Sequence, residues 1–248
     1  MSKVFLDSRF AQPDGKTFLI PGEALLLNPE SRCWLAEFTC VASWDTIDSS
    51  NNTFQITETF AATTATRTVT LFPPGPHDLE SLRSALQESL NFGKPSFMGD
   101  YTVSRLDTAG SGSTARRYGI EQSNGTFVIP SATNNLRHIV DFPHAGGASS
   151  FIESSFVDVR RVHSIYLHSS LGNFNCIAPT GVRGILAKIP VHAGYGGLVT
   201  AQLSGSEHDC VEVGCHSLSS VQLSLHDVNG VELDRNATSW SCTLVFER

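Results

Sequence analysis

Apolar and polar positions alternate along most of this chain with a period of two, in short runs broken by turn residues. That is the pattern of half-buried β-strands. Val4 and Leu6 alternate ahead of Asp7-Ser8-Arg9. In the long run from Cys33 to Trp44 the alternation sets Trp34, Ala36, Phe38 and Cys40 on one face. Phe54 and Ile56 follow the polar turn 48–52, and Val69 and Leu71 precede Pro73-Pro74-Gly75-Pro76, which ends a strand because proline cannot donate to the ladder. Further strands are expected at 101–106, 118–122, 126–129 and 137–142. The last third reads as strand throughout. Ile165 and Leu167 alternate, Ile185, Leu186, Ile189 and Val191 follow, then 198–203, and then Val221, Leu223 and Leu225. Asn229-Gly230 predicts a type I′ turn, in which both central residues take positive φ. Trp240, Cys242, Leu244 and Phe246 form a closing strand.

One segment has a different period. Leu79, Leu82, Leu86 and Leu90 recur at helical spacing, Asp78 stands at the N-cap, Glu80 suits the first turn, and Gly93 is placed to end the helix. About four turns are expected, with the leucine stripe packed on the protein's own sheet. The chain shows no internal repeat and no long linker; the softest stretches are 107–114, rich in Gly and Ser, and 144–150, rich in Ala and Gly. These elements predict an all-β fold, an antiparallel jelly-roll β-sandwich with an inserted small α/β excursion containing one helix. Residues 1–67 supply its first strands, 68–150 the insertion, and 151–248 the remaining strands of the same sandwich.

Composition sharpens this. The chain has 248 residues, 40% hydrophobic and 17% charged. A chain of that length buries about three quarters of its unfolded surface and needs no disulfide staples. The charged fraction is below the roughly 25% of an average domain, which excludes a coiled coil or a disordered tail. The net charge is −7 and the longest basic clusters are the pairs Arg116-Arg117 and Arg160-Arg161, which argues against nucleic-acid binding. The N-terminal segment lacks an apolar h-region and no run approaches 18 apolar residues, so a non-secreted protein without a membrane span is expected. In that setting the six cysteines are expected as reduced thiols, several of them buried in strands, and the Asn-x-Ser/Thr triplets at Asn51, Asn124 and Asn236 as unmodified.

Catalytic signatures are absent from the sequence. It has no nucleophile elbow, no phosphate-binding loop, no dinucleotide fingerprint and no H-E-x-x-H, and Gly194-Tyr195-Gly196-Gly197 reads as a loop. The densest chemical cluster is His208-Asp209-Cys210 with Cys215-His216. His208, Cys210, Cys215 and His216 are borderline zinc donors, yet the spacing is not that of a finger, and strand alternation from Cys210 to Cys215 would set the two thiols on opposite faces. The favoured reading is therefore no catalytic, cofactor or metal residues. The nine histidines, His163 and His168 at the ends of one strand among them, read as surface or strand-end residues rather than a pH switch.

Five segments together resemble jelly-roll capsid proteins, of penton or minor capsid type, from adenovirus-like tailless DNA viruses, the Polinton, adintovirus and virophage group. They are the opening strand ending Leu6-Asp7-Ser8-Arg9; Trp44-Asp45-Thr46-Ile47 with Asn51-Asn52; Pro74-Gly75-Pro76-His77-Asp78-Leu79 running into the helix; Ile165–Leu171 with Gly184–Pro190; and Val221–Asp227 with Asn229-Gly230 and Leu244-Val245-Phe246. His77 departs from the pattern, standing where an aromatic such as Tyr is expected. The resemblance implies a virion structural protein that is not an enzyme. It implies self-assembly, as a homopentamer at a vertex, beside a neighbouring major capsid protein. A single jelly roll suits a vertex or minor capsid protein, because a double jelly-roll shell protein needs a far longer chain. Two alternatives stay open: a major capsid protein built of single jelly rolls, and a lectin-like or receptor-binding sandwich that takes a glycan or host receptor through exposed aromatics, with Trp34, Trp44 and Trp240 read as core or interface anchors rather than sugar-stacking platforms. A cupin-like metalloenzyme would need two histidines and a carboxylate on adjacent strands, a pattern missing here.

Overall fold

A computed structural model describes residues 1–20, 25–28, 30–106, 116–142, 147–171, 176–203, 205 and 210–247. The chain forms two compact units, Met1–Trp44 with Val162–Arg248, and Asp45–Arg161. The first unit begins with β1 (Ser2–Asp7), β2 (Thr17–Leu19), β3 (Leu25–Leu26) and β4 (Arg32–Val41). The second holds β5 (Thr53–Phe60), β6 (Thr63–Thr70), α1 (Leu79–Asn91), β7 (Tyr101–Arg105), β8 (Tyr118–Gln122), β9 (Thr126–Val128), β10 (Val140–Asp141), β11 (Phe151–Glu153) and β12 (Phe156–Val157). The chain then returns to the first unit with β13 (Ser164–Ser169), β14 (Ile185–Pro190), β15 (Leu198–Gln202), β16 (Val211–Glu212), β17 (Ser217–Leu218), β18 (Ser220–His226) and β19 (Trp240–Glu247).

Eight strands of the first unit make two antiparallel sheets, ordered β1-β19-β4-β15 and β2-β18-β13-β14. Counted along the unit these are strands 1-8-3-6 and 2-7-4-5, the double Greek key of a jelly roll. The inner faces meet in one core that takes Leu35, Phe38 and Leu244 from the first sheet and Phe18, Ile165, Leu167 and Leu223 from the second. Trp240 ties them together. Its ring lies edge-on to Phe18 at 5.5 Å and 5.9 Å from Phe38.

The alternation in β4 is broken where the sequence does not show it. Thr243 of β19 pairs with Glu37 and Leu244 with Leu35, so Ala36 is an extra residue, a β-bulge. The bulge inverts the phase: Cys33, Leu35, Phe38 and Cys40 enter the core, whereas Trp34 is buried outside it against Gly205. The expected single face of Trp34, Ala36, Phe38 and Cys40 is thus corrected. The turn at Asn229-Gly230 is also not type I′. Only Gly230 takes positive φ (78°), and Asp227 N–H donates to Val231 O across a three-residue loop. The six cysteines are free, with Cys33, Cys40 and Cys242 buried. Burial pushes the Cys40 and Cys242 thiols up to about 12, so they stay protonated and unreactive.

The second unit is wider than the insertion read from the sequence at both ends, because β5 and β6 before it and β11 and β12 after it group with this unit and not with the sandwich. Phe54, Ile56, Val69 and Leu71 join the leucine face of α1 in a separate core, with Tyr101, Ile120, Phe127 and Phe142. The 107–114 stretch lies outside the described residues, and 144–150 partly so. Of the expected 137–142 strand only Val140–Asp141 is extended; the residues before it form turns. Two three-stranded sheets, β6-β5-β9 and β7-β8-β11, are joined by backbone bonds between Phe127 and Ser149 and from Gln122 N–H to Ser150 O. That leaves β7 and β6 as the outer edges.

Helix α1 runs as the sequence predicts. Asp78 accepts from Glu80 and Ser81 N–H, Ser81 Oγ completes a capping box, and Gly93 follows the C-cap at φ 64°. Its polar side chains line the edge of β7 in place of a strand. Arg83 donates to Val103 O at 2.9 Å, Gln87 accepts from Val103 N–H at 2.9 Å, and Asn91 both accepts from Tyr101 N–H at 2.9 Å and donates to Tyr101 O at 2.8 Å. The spacing i, i+4, i+8 puts these three on one helix face. At the helix C-terminus Arg67 of β6 donates to Leu90 O and Phe92 O, satisfying carbonyls the helix leaves free. Glu58 of β5, 0% exposed, holds that guanidinium through two bonds of 3.0 and 3.1 Å and accepts from Tyr101 O–H at 2.8 Å. Burial first, and Glu58 second, push the Tyr101 phenol up, so it remains a donor.

Glu58→Ala should strip the acceptor from both Arg67 and Tyr101. We expect a loss of about 3–5 kcal/mol, the typical cost of removing one partner of a buried pair. The urea-unfolding midpoint of the full chain measures it; a shift within error would mean that the network contributes nothing net.

Candidate assembly surface

Of the residues singled out for metal chemistry, the structure describes Cys210, Cys215 and His216. Among the described residues no group of three or more His, Cys, Asp or Glu could hold an ion. His208 and Asp209 lie outside the described residues, as does His144. Cys210 and Cys215 are not on one continuous strand, since only Val211–Glu212 pairs with β4 and Gly214 turns the chain at φ 63°. Gly194–Gly197 is a turn, closed by Gly197 N–H to Gly194 O, that leads into β15.

The structure does bring together two histidines that sequence spacing keeps far apart. His168 of β13 and His226 of β18 stack with ring centroids 4.2 Å apart. Nε2 of His226 meets Ser224 Oγ at 2.8 Å and its Nδ1 meets Gly230 O at 2.9 Å, whereas Nε2 of His168 is buried without a partner. Burial, and then the neighbouring His226, hold the His168 imidazole below its ordinary value.

The sandwich unit also carries an apolar feature. A groove of about 890 Å³ opens over β1, β19 and β4, and Phe5, Phe10 and Leu19 stand at its sides with 75%, 78% and 56% of their surface exposed. Each is presented by a local device. In β1 the phase that buries Val4 and Leu6 turns Phe5 outward, beside Thr243 and, one strand further, Glu37. Phe10 ends a one-turn 3₁₀ segment whose cap Asp7 accepts from Arg9 N–H and chelates its guanidinium, which lowers the Asp7 carboxyl. Leu19 ends β2 after a turn in which Asp14 accepts from Thr17 Oγ1 and the N–H groups of Lys16 and Thr17, taking its carboxyl down to about 2. One strand phase and two short polar turns thus set three apolar side chains round one groove. The sequence carried the signal for Phe5: a large aromatic in the outward phase of a strand whose inward phase is already filled.

No family model matches the chain, and no curated protein does. Among solved structures it is similar to the crystal structure of the selenomethionine-labelled mavirus penton protein, at 11% sequence identity, with a TM-score of 0.60 over 99% of each chain. At that identity the likeness is one of fold, and the chain has a penton-like, all-β jelly-roll fold.

His168 gives a test of the histidine pair. A histidine whose pKa is lower folded than unfolded favours the native state fully above about pH 6.5, and that share is lost as pH falls toward the folded value. Urea-unfolding midpoints taken between pH 5 and 8 should rise with pH, and His168→Gln should flatten the rise; equal slopes in both proteins would remove His168 as its source.

Proposed function

We propose that this protein is a structural component of an icosahedral virion shell, a vertex (penton) or minor capsid protein that assembles into a homopentamer and meets a major capsid protein round its rim. One observation carries the reading: the likeness to a penton protein extends over 99% of both chains, so it takes in the inserted unit as well as the sandwich. On this reading the protein acts in the virion, has no catalytic residues, and derives from the virophage, adintovirus and Polinton lineage that its sequence resembles. A ring needs a heterologous contact that closes, one patch seated on a different patch of the next copy. The Phe5, Phe10 and Leu19 groove is our candidate for one half of that contact. Its fixed apolar side chains suit the core of an interface, with Asp7, already tied to Arg9, and Glu37, which accepts from Thr243 Oγ1, as the polar part of the lining. A single jelly-roll major capsid protein and a receptor-binding sandwich have no observation of their own in their favour.

The first experiment is the native mass of purified protein by light scattering, with negative-stain images of the same fraction. A five-fold ring or closed particles support the proposal; a monomer at high concentration with no larger species overturns self-assembly. The double variant Phe5→Ser, Phe10→Ser tests the contact itself. Both side chains are exposed, so monomer stability should stay within about 0.5 kcal/mol, while the ring dissociates. A ring of unchanged mass would place the contact elsewhere.

A further inference from the structure

The middle unit has a second groove, and its walls differ in kind from the first. It lies between β6 and the last turn of α1, measures about 490 Å³, and has Phe72 and Phe92 standing at it with 72% and 84% of their surface exposed. The strand wall is an open edge, because among the described residues β6 pairs with β5 alone. The register fixes which backbone groups are free. The β5–β6 hairpin closes on the Phe60–Thr63 pair and ends with Leu71 N–H donating to Asn52 O, so Thr63, Ala65, Arg67 and Val69 turn their N–H and C=O toward β5. The alternate residues, Thr64, Thr66, Thr68 and Thr70, turn theirs outward. Helix α1 reaches this edge through Arg67, whose side chain bonds the helix carbonyls, and beyond that point the edge is bare at Thr68 and Thr70.

What fits this groove follows from its chemistry. Outward N–H and C=O groups recur at two-residue spacing, about 6.8 Å along a strand; on β7 the side chains of α1 meet such a row, and at Thr68 and Thr70, which those side chains do not reach, an extended backbone matches it. The two phenylalanines ask for apolar side chains beside that backbone. The charge balance selects further. Arg67 is neutralised by Glu58, whereas the exposed carboxylate of Glu88 makes no ion pair among the described residues.

We propose that this groove is a strand-addition site. An extended segment of a partner polypeptide pairs through its backbone with Thr68 and Thr70, sets apolar side chains against Phe72 and Phe92, and presents a lysine or arginine to Glu88. The site belongs to the middle unit alone and does not depend on the capsid reading.

The test uses the full-length protein, immobilised and panned with a phage-displayed library of random twelve-residue peptides. Enriched peptides should alternate apolar and polar positions and carry Lys or Arg. Their affinity, read by fluorescence anisotropy on synthetic copies, should fall about tenfold or more in each of three variants with an unchanged thermal melt. Thr68→Pro removes an outward N–H without breaking the β5 ladder. Phe92→Ser removes an apolar wall and stands in if the proline variant does not fold. Glu88→Lys should reverse the charge preference of the selected peptides. Failure to enrich any peptide, or peptides bound equally by Thr68→Pro and Phe92→Ser, overturns the proposal. Concentration-dependent dimerisation that Phe92→Ser abolishes would overturn it too, in favour of a second copy covering the edge.

Discussion

The sandwich depends on where its last strand goes. β19 lies between β1 and β4, so residues 240–247 pair with the first strand on one side and the third on the other. Without β19 the first sheet has no centre, and Trp240, which joins Phe18 of one sheet to Phe38 of the other, has no place. The bulge at Ala36 belongs to the same constraint. A strand as long as β4 has to serve β19, β15 and β16 along its length, and an inserted residue changes the face it presents part-way. Ala36 is then free to accept Leu203 N–H, which carries the chain on from β15.

In the middle unit a helix does the work of a strand. Sheet edges left open invite pairing, and here α1 covers one edge thoroughly and the other at a single residue. Arg83, Gln87 and Asn91 supply donors and acceptors along β7, so that edge is met at Tyr101 and Val103. On β6 the cover is Arg67, whose guanidinium is held by Glu58, which in turn accepts from Tyr101. Isolated buried ion pairs are weak stabilisers, since desolvation offsets most of the attraction. This one is better understood as a fastening: it sets the spacing of helix and hairpin, and the groove beside Thr68 and Thr70 is a result of that spacing.

Much of this could be read from the sequence wherever a local rule decided the outcome. The helix, its cap and its end follow from Asp78, the leucine stripe and Gly93. The period-two runs marked the principal strands and the all-β class. Where the reading went wrong, long-range pairing had overruled local pattern. No residue in Cys33–Val41 announces a bulge that exists only against β19. Asn229-Gly230 fits two hairpin geometries, and the partner strand chooses. The insertion boundary fell between β5–β6 and the rest of their unit because alternating strands look alike whichever core they serve. The stacked histidines are neighbours only through the β13–β18 register. Other features were visible and passed over. Glu58 stands in the buried phase of Phe54 and Ile56, which already called for an enclosed cation; Phe5 sits between two core residues, which already marked a surface role.

The two ends of the middle unit are fastened to each other. Thr46 Oγ1 donates to Val159 O at 3.2 Å, and Asp48 and Arg161 form an ion pair. A connection on the order of 100 residues adds to the pairing of the strands it separates a closure entropy that grows slowly with its length. Because its ends are joined, this one behaves toward the sandwich as a short link between β4 and β13. The same joint makes the unit a cassette in evolutionary terms: its interior can lengthen, shorten or be replaced wholesale while the two attachment points stay put, so the inserted segment can diversify between lineages at a pace the sandwich could not survive.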